Sequence, residues 1–254
     1  MKRCLLSVLP LLLLPGAALA HFQELIPSTD LVTAQSGGTL SLSLTFTHPM
    51  ERGPVMAMGE PVAFGVLGPL GREDLKPALV PQTLDGKQCF RAEYRVKRPG
   101  DYLFYLEPAP YWEPAEGVMI VHYTKVVVDA YDAGEGWDRD LGLPVEITPL
   151  TRPYALWTGN LFRGVVKKDG HPVPYAEVEV EWINDGSVTP PADAYITQVV
   201  KADAGGVFAY AMPRAGWWGF AALTEGDERM KNPQGALVPV EAGGLIWVHT
   251  RDMK

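Results

Sequence analysis

A chain of 254 residues with 30 acidic against 22 basic side chains has a formal charge of −8, a balance that disfavours nucleic acid and anionic membrane surfaces and suits a cationic partner. With 47% apolar residues it can bury one large core or two of ordinary size. Beyond the first twenty residues no apolar run approaches the roughly 20 residues that a membrane-spanning helix requires.

The chain opens as an export signal. Lys2 and Arg3 give a positive start, Leu5 to Leu14 an apolar run, and Ala18-Leu19-Ala20 the small residues that signal peptidase accepts. Cleavage after Ala20 would remove the signal peptide, residues 1–20, bring the formal charge to −10 and deliver a soluble periplasmic or secreted product. Cys4 leaves with the leader, so Cys89 is the only cysteine in the cleaved chain and no internal disulfide can form. The cleaved chain begins His21-Phe22-Gln23. The α-amine and imidazole of His21 then belong to one residue and can close a chelate ring on one metal ion. The ordinary pKa of such an amine, about 7.7–8.0, makes its proton easy to displace near neutrality.

Downstream, 26 glycines and 23 prolines are spread throughout, and apolar residues alternate more often than they recur at helical spacing. Leu40, Leu42, Leu44 and Phe46 alternate with Ser41, Ser43, Thr45 and Thr47, which predicts a half-buried strand. Val62 to Leu67, Phe90 to Val96 and Tyr102 to Leu106 follow, the last after the turn Arg98-Pro99-Gly100-Asp101. Val118 to Val128 is apolar on both faces and is expected at the centre of its sheet. These strands predict an antiparallel, immunoglobulin-like sandwich over residues 21–131. Residues 132–160 are interrupted by Gly134, Gly136, Pro144, Pro149 and Pro153 and read as a connector packed across a domain interface.

From Leu161 the strands resume. Ala176, Val178, Val180 and Trp182 are expected to face inward, and Glu177, Glu179 and Glu181 to face water. The order of a Lys168-Asp169-Gly170 turn, an Asp203-Ala204-Gly205-Gly206 hairpin, Pro213 to Phe220 and a closing strand Leu245 to His249 resembles the transthyretin-like or carboxypeptidase-regulatory β-sandwich. The expected fold is therefore all-β, with a second sandwich over residues 161–254. Such a fold carries no catalytic implication by itself.

Five histidines are available. His171 lies in the turn before Pro172 and is expected to be solvated. His48 continues the apolar parity of its strand until Pro49 ends it. His122 lies mid-strand on the face of Val118, Ile120, Val126 and Val128, and His249 shares a face with Leu245 and Trp247. Taken singly, each has an ordinary reading as a packed or hydrogen-bonded imidazole. Taken together, His21, His48, His122 and His249 offer one amine and several imidazoles, a nitrogen-rich set for a divalent ion. No compact H-x-x-x-H or C-x-x-C spacing is present, so the fold must assemble such a site. Met50, Met56 and Met58 could supply soft donors for Cu(I) or fill an apolar gap. Glu113 or Glu116, in the rigid loop Pro108 to Glu116, could hold an imidazole from outside the site or stay solvated. Trp217 and Trp218 point to opposite faces of their strand. There is no G-x-S-x-G elbow, and Cys89 at a strand start is a poor nucleophile, so no catalytic residue is assigned.

The motifs His21-Phe22-Gln23, Phe46-Thr47-His48-Pro49-Met50-Glu51, Tyr111-Trp112-Glu113-Pro114, His122-Tyr123-Thr124-Lys125, Pro149 to Tyr154, Gly216-Trp217-Trp218-Gly219-Phe220 and Trp247-Val248-His249 resemble the NikM-like exported proteins. That family, long classed as a domain of unknown function, is associated with nickel transport systems of the energy-coupling type. The resemblance spans nearly the whole cleaved chain and places His21, His48, His122 and His249 in recurrent motifs. It implies a non-enzymatic protein that binds Ni(II), or a similar divalent ion, for membrane transporter components. Two other readings stay open: a copper monooxygenase of the histidine-brace type, built on an N-terminal histidine and a second histidine, and a purely structural or adhesive pair of sandwiches.

Overall fold

The alternation of Leu40 to Phe46 becomes the strand Thr39–Thr47, with its leucines buried and Thr39, Ser41 and Ser43 exposed. Its neighbours are Phe22–Pro27 and Lys87–Arg95, and Val80–Leu84 completes a four-stranded antiparallel sheet. The structure, a computed structural model, describes residues 21–253, so the expected signal peptide lies outside the described residues. Among those residues there is no α-helix, and the fold is all-β. No described helix is long and apolar enough to cross a membrane.

A second sheet of eleven strands forms the centre of the molecule. Its main path runs Gln198–Lys201, Glu177–Trp182, Gly216–Glu225, Val240–Arg251, Val118–Ala130, Gly100–Glu107, Ala63–Gly68 and Gly71–Asp74. Val118–Ala130 and Val240–Arg251 lie side by side in parallel, a pairing that needs a long crossover, and here the crossover is most of the second half of the chain. The sheet therefore crosses the division expected between residues 131 and 160, and strands from both halves pair within it.

That central position explains why Val118–Ala130 is apolar on both faces. On one face Ile120, Val126 and Val128 join Leu25, Leu42, Leu44, Phe104 and Trp247 in a core beneath the four-stranded sheet. On the other, Val127 meets Leu103, Leu141, Leu143 and Tyr154, so residues 132–160 lie over the sheet. The closing strand divides in the same way. Leu245 and Trp247 enter the first core, while Ile246 and Val248 enter a second with Phe162, Val166, Val178 and Phe220. That second core is closed by the sheet of Val145–Pro149, Leu161–Lys168, His171–Pro172 and Val207–Ala211. Each fully buried Leu or Phe contributes about 1.5–3 kcal/mol relative to exposure.

Glu179 and Glu181 depart from the water-facing expectation. Glu181 is buried and accepts hydrogen bonds from the Met50 N–H and the Thr197 hydroxyl, and Glu179 is partly buried. Their strand lies inside the large sheet, and the segment after His48 covers the face to which Glu181 points.

Candidate metal centre

Strand pairing brings the first two histidines together. Phe22 lies opposite Thr47 in the antiparallel ladder, so His21 and His48, one step beyond on each strand, meet with ring centroids 4.6 Å apart. Phe46 and Tyr111 flank His21 at centroid distances of 5.7 and 6.2 Å. The short strand Tyr111–Glu113 pairs with the start of Val118–Ala130 and brings Glu113 Oε2 to 3.1 Å from His21 Nε2. Glu113 Oε1 accepts the Ala115 N–H at 2.8 Å, which fixes the carboxylate. The side chains of His21 and Glu113 are 10% and 12% exposed.

His122 is buried behind this pair, its ring edge-on to Phe46 at 6.2 Å. Its Nε2 lies 3.0 Å from Glu241 Oε1, and its Nδ1 is buried without a hydrogen-bond partner. In the parallel ladder His122 lies beside Gly243, where an added Cβ would sit 2.6 Å from the imidazole. Only glycine leaves room for the ring there. A cavity of about 30 Å³, lined by Gln23, Phe46, Met58, Tyr111, Ile120 and His122 among others, adjoins it.

The structure does not bring His249 to the other three. Its place lies six residues beyond Gly243 on the same strand, about 20 Å away at roughly 3.3 Å per residue. There His249 Nδ1 is 3.4 Å from Asp30 Oδ1, an ion-pair distance without the alignment of a hydrogen bond, and its ring packs on Trp217 at 4.8 Å. His171 is exposed in its turn, with Nδ1 2.9 Å from the Asp169 carbonyl. Met56 and Met58 belong to the first core, and Met58 Sδ accepts the Gln23 amide at 3.6 Å. Cys89 is buried, and burial pushes its thiol up, away from nucleophilic reactivity.

Among the described residues, no three His, Cys, Asp or Glu side chains converge as a metal site. His21 and His48 supply two imidazoles, and the α-amine created by cleavage after Ala20 would add a third nitrogen to them. Burial first, then the charge of His48, push the His21 imidazole down to about 4 against the pull of Glu113. At neutral pH it is neutral, the form that binds metals. Burial acts to raise Glu241, but the His122 hydrogen bond and the charges of His122 and His21 outweigh it and hold the carboxyl below its ordinary range. Burial, together with Glu241 and Glu113, raises Glu116. The surroundings of the histidines are thus rich in carboxylates.

Three further carboxyls near this face make stability depend on pH. Burial raises Glu24 and Glu181 to about 7, and burial with the charges of Glu241, Glu181 and Glu116 raises Glu179 to about 8. The Glu24 carboxyl, bonded to Thr45, is enclosed although the residue as a whole keeps some exposure. Between pH 6.5 and 8 these groups hold more protons folded than unfolded, so stability falls as pH rises. His21 does not oppose this trend, because the stability from its lowered pKa is complete above 6.5. Calorimetric melting of the metal-free protein is expected to show Tm falling over this window, with a shallower fall for Glu179→Gln. A Tm that rises with pH there would contradict the assignment.

Residues 18–226 match the family described as a domain of unknown function, DUF4198, a description that names no enzymatic activity. No curated protein matches the chain. Among solved structures, the D0-D1 domain of intimin is similar at 12% identity, covering 91% of this chain and 100% of that one, with a TM-score of 0.25. The Yersinia pseudotuberculosis adhesin InvE is similar at 14% identity, covering 87% of this chain and 58% of that one, with a TM-score of 0.26. Domains A168-A170 of titin give 10%, 89%, 68% and 0.21 for the same quantities.

Proposed function

The chain belongs to the family described as a domain of unknown function, DUF4198, and on that premise we propose that it is a NikM-like, exported metal-binding protein that captures Ni(II) or a similar divalent ion in the periplasm for a membrane transporter. The observation that carries this reading is the His21–His48 pair, 4.6 Å apart at the expected N-terminus of the cleaved chain. Cleavage adds the α-amine, so two residues present three nitrogen donors, and Glu113 steadies one of them from outside. The carboxylates nearby attract cations and add no competing thiolate. A nitrogen site of this kind binds copper more tightly than nickel by intrinsic affinity, so selection of nickel falls to geometry and supply.

The same pair also favours a second reading, a copper enzyme of the histidine-brace type, which needs only these two histidines. Enclosure supports capture instead: His48 is 4% exposed and the His21 side chain 10%, whereas an oxidative enzyme needs an open position facing its substrate. Nickel titration by calorimetry on the cleaved protein tests the proposal. His48→Ala is expected to lose most of the binding, while His249→Ala and His171→Ala bind as the parent does. Undiminished affinity in His48→Ala would sink the reading, and oxygen-dependent turnover by the copper-loaded protein would favour the second one.

A further inference from the structure

At the end of the second core where the edge strands Gln198–Lys201 and Val207–Ala211 come together, a cleft of about 340 Å³ opens beneath the segment 184–197. Trp182, Trp218 and Tyr210 line it from the two sheets, and Val188, Pro190 and Ile196 from the segment above. Ring centroids are 6.5 Å apart for Trp182 and Trp218 and 5.8 Å for Tyr210 and Trp218, so the aromatic wall is continuous. Both indole N–H groups are spent on one turn: Trp182 Nε1 donates to the Ala215 carbonyl at 3.0 Å, and Trp218 Nε1 to the Arg214 carbonyl at 2.9 Å. Gly216 permits this, since an added Cβ would sit 2.5 Å from Trp182 Nε1. The wall is thus fixed from behind and offers a ligand ring surface. The cover is fixed as well, because Asn184 Nδ2 donates to the Met50 and Val188 carbonyls at 2.9 and 2.8 Å. A site held in this way loses little entropy when it is filled.

The polar groups of the cleft are unbalanced. Arg214 is the one charged side chain among the described residues that line it. Its guanidinium lies over Trp182, with Cζ 5.1 Å from the ring centroid, and Nη2 donates to Ser187 Oγ at 2.9 Å. Among the described residues it has no ion-pair partner, and the nearby Asp185 accepts instead from the Ser187 N–H at 2.9 Å and from the Ser187 hydroxyl. Gln198 Oε1 accepts the Tyr210 hydroxyl, which leaves the Gln198 NH₂ without an acceptor among the described residues. The cleft therefore holds spare donors and a positive charge, and a ligand that fits it must bring acceptors and a negative charge.

We propose that this cleft binds a small aryl carboxylate, its ring against Trp182, Trp218 and Tyr210 and its carboxylate on Arg214 and Gln198. The volume agrees with that size. A cavity of about 150 Å³ takes benzene, so about 340 Å³ accommodates one ring with a short acidic arm. A guanidinium braced on an indole presents its remaining N–H groups as a planar fork that matches a carboxylate. In a chain of formal charge −8, that cation on aromatic surface is a local site for an anion.

Phenylacetate is the probe, titrated into the cleaved, metal-free protein while the seven indole N–H signals are followed by NMR. The Trp182 and Trp218 signals are expected to shift with Kd about 0.1–1 mM, the range for a ligand of some ten heavy atoms. Phenylacetamide, which lacks the charge, and acetate, which lacks the ring, are each expected to bind at least about tenfold more weakly. Arg214→Gln is expected to weaken phenylacetate by about 10–100-fold and to leave phenylacetamide unchanged. Gln198→Glu, which keeps an acceptor for Tyr210 and sets a negative charge against the ligand, is expected to act in the same direction. The indole signal of Trp247, buried in the first core, reports that each variant has folded. No shift of Trp182 and Trp218 with phenylacetate, equal affinity for phenylacetamide, or undiminished phenylacetate binding in a folded Arg214→Gln protein would each overturn the proposal.

Discussion

Replacing Glu146 with leucine is expected to destabilise the protein by about 3–5 kcal/mol, and by more than replacing Lys125 with methionine. Both side chains are buried, at 1% and 3% exposure for Lys125 and Glu146, with Nζ 2.6 Å from Oε1. Burial drives the Lys125 ammonium down in pKa, and the adjacent Glu146 charge opposes that shift. The two partners are not equivalent, because Glu146 also accepts backbone N–H groups from Leu141 at 2.8 Å, Gly142 at 3.0 Å and Leu143 at 3.3 Å. Glu146→Leu would strand a buried ammonium and three backbone donors together. Lys125→Met would leave the carboxylate held by those three N–H groups and fill the space with a side chain of similar length. Urea unfolding of both variants measures the difference. An equal or larger loss in Lys125→Met would show that the backbone donors contribute little. The consequence reaches the candidate site, since Lys125 is three residues from His122 on the central strand and its partner anchors the segment that covers that strand.

Legibility in the sequence varied with the local physics of each element. Thr39–Thr47 could be read because one face meets water and the other meets a core, so the pattern has a period of two over much of its length. Val118–Ala130 could be read as central because both faces are apolar, and the structure buries both. Phe22–Pro27 was not legible as a strand. It packs at the edge of one sheet against another, and the indole N–H of Trp247 reaches across to donate to its Gln23 carbonyl at 3.0 Å, so polar Gln23 is buried alongside Phe22 and Leu25. Without that strand, nothing in the sequence placed His21 opposite His48.

Glu241 was missed for a related reason. The closing strand was expected over Leu245 to His249, yet it runs from Val240 to Arg251, and Gly243 and Gly244 within it make room for the His122 ring and for the backbone of Val145 and Glu146. Two adjacent glycines leading into an apolar alternating run were the available signal. His249 shows the opposite limit. Parity along a strand tells which face a side chain takes, and His249 does share its face with Leu245 and Trp247, but parity says nothing about height along the sheet. Six residues of rise carry His249 to Asp30 and away from the cluster. Of the two glutamates in the Pro108 to Glu116 loop, the structure places Glu113 on His21, a choice that depends on the pairing of Tyr111–Glu113 with the central strand.

The central claim is that the first residue of the cleaved chain is itself the core of the metal site, and one added residue tests it. Cleaved protein beginning at His21 is compared with the same protein carrying a single alanine before it. The α-amine and imidazole of His21 are tethered, so engaging the second donor costs little further translational entropy. An added alanine turns that amine into an amide, a poor donor at neutral pH, and moves the new amine out of chelating reach of the imidazole. The His21–His48 pair and the Glu113 contact are left in place, so the fold is not the variable. Calorimetric titration with Ni(II), and with Cu(II) in parallel, is expected to show affinity in the extended protein lower by about 100-fold or more, at or beyond the upper range seen when an outer-shell partner is lost. Equal affinities for the two proteins would contradict the account, because the N-terminus would then be incidental to metal binding.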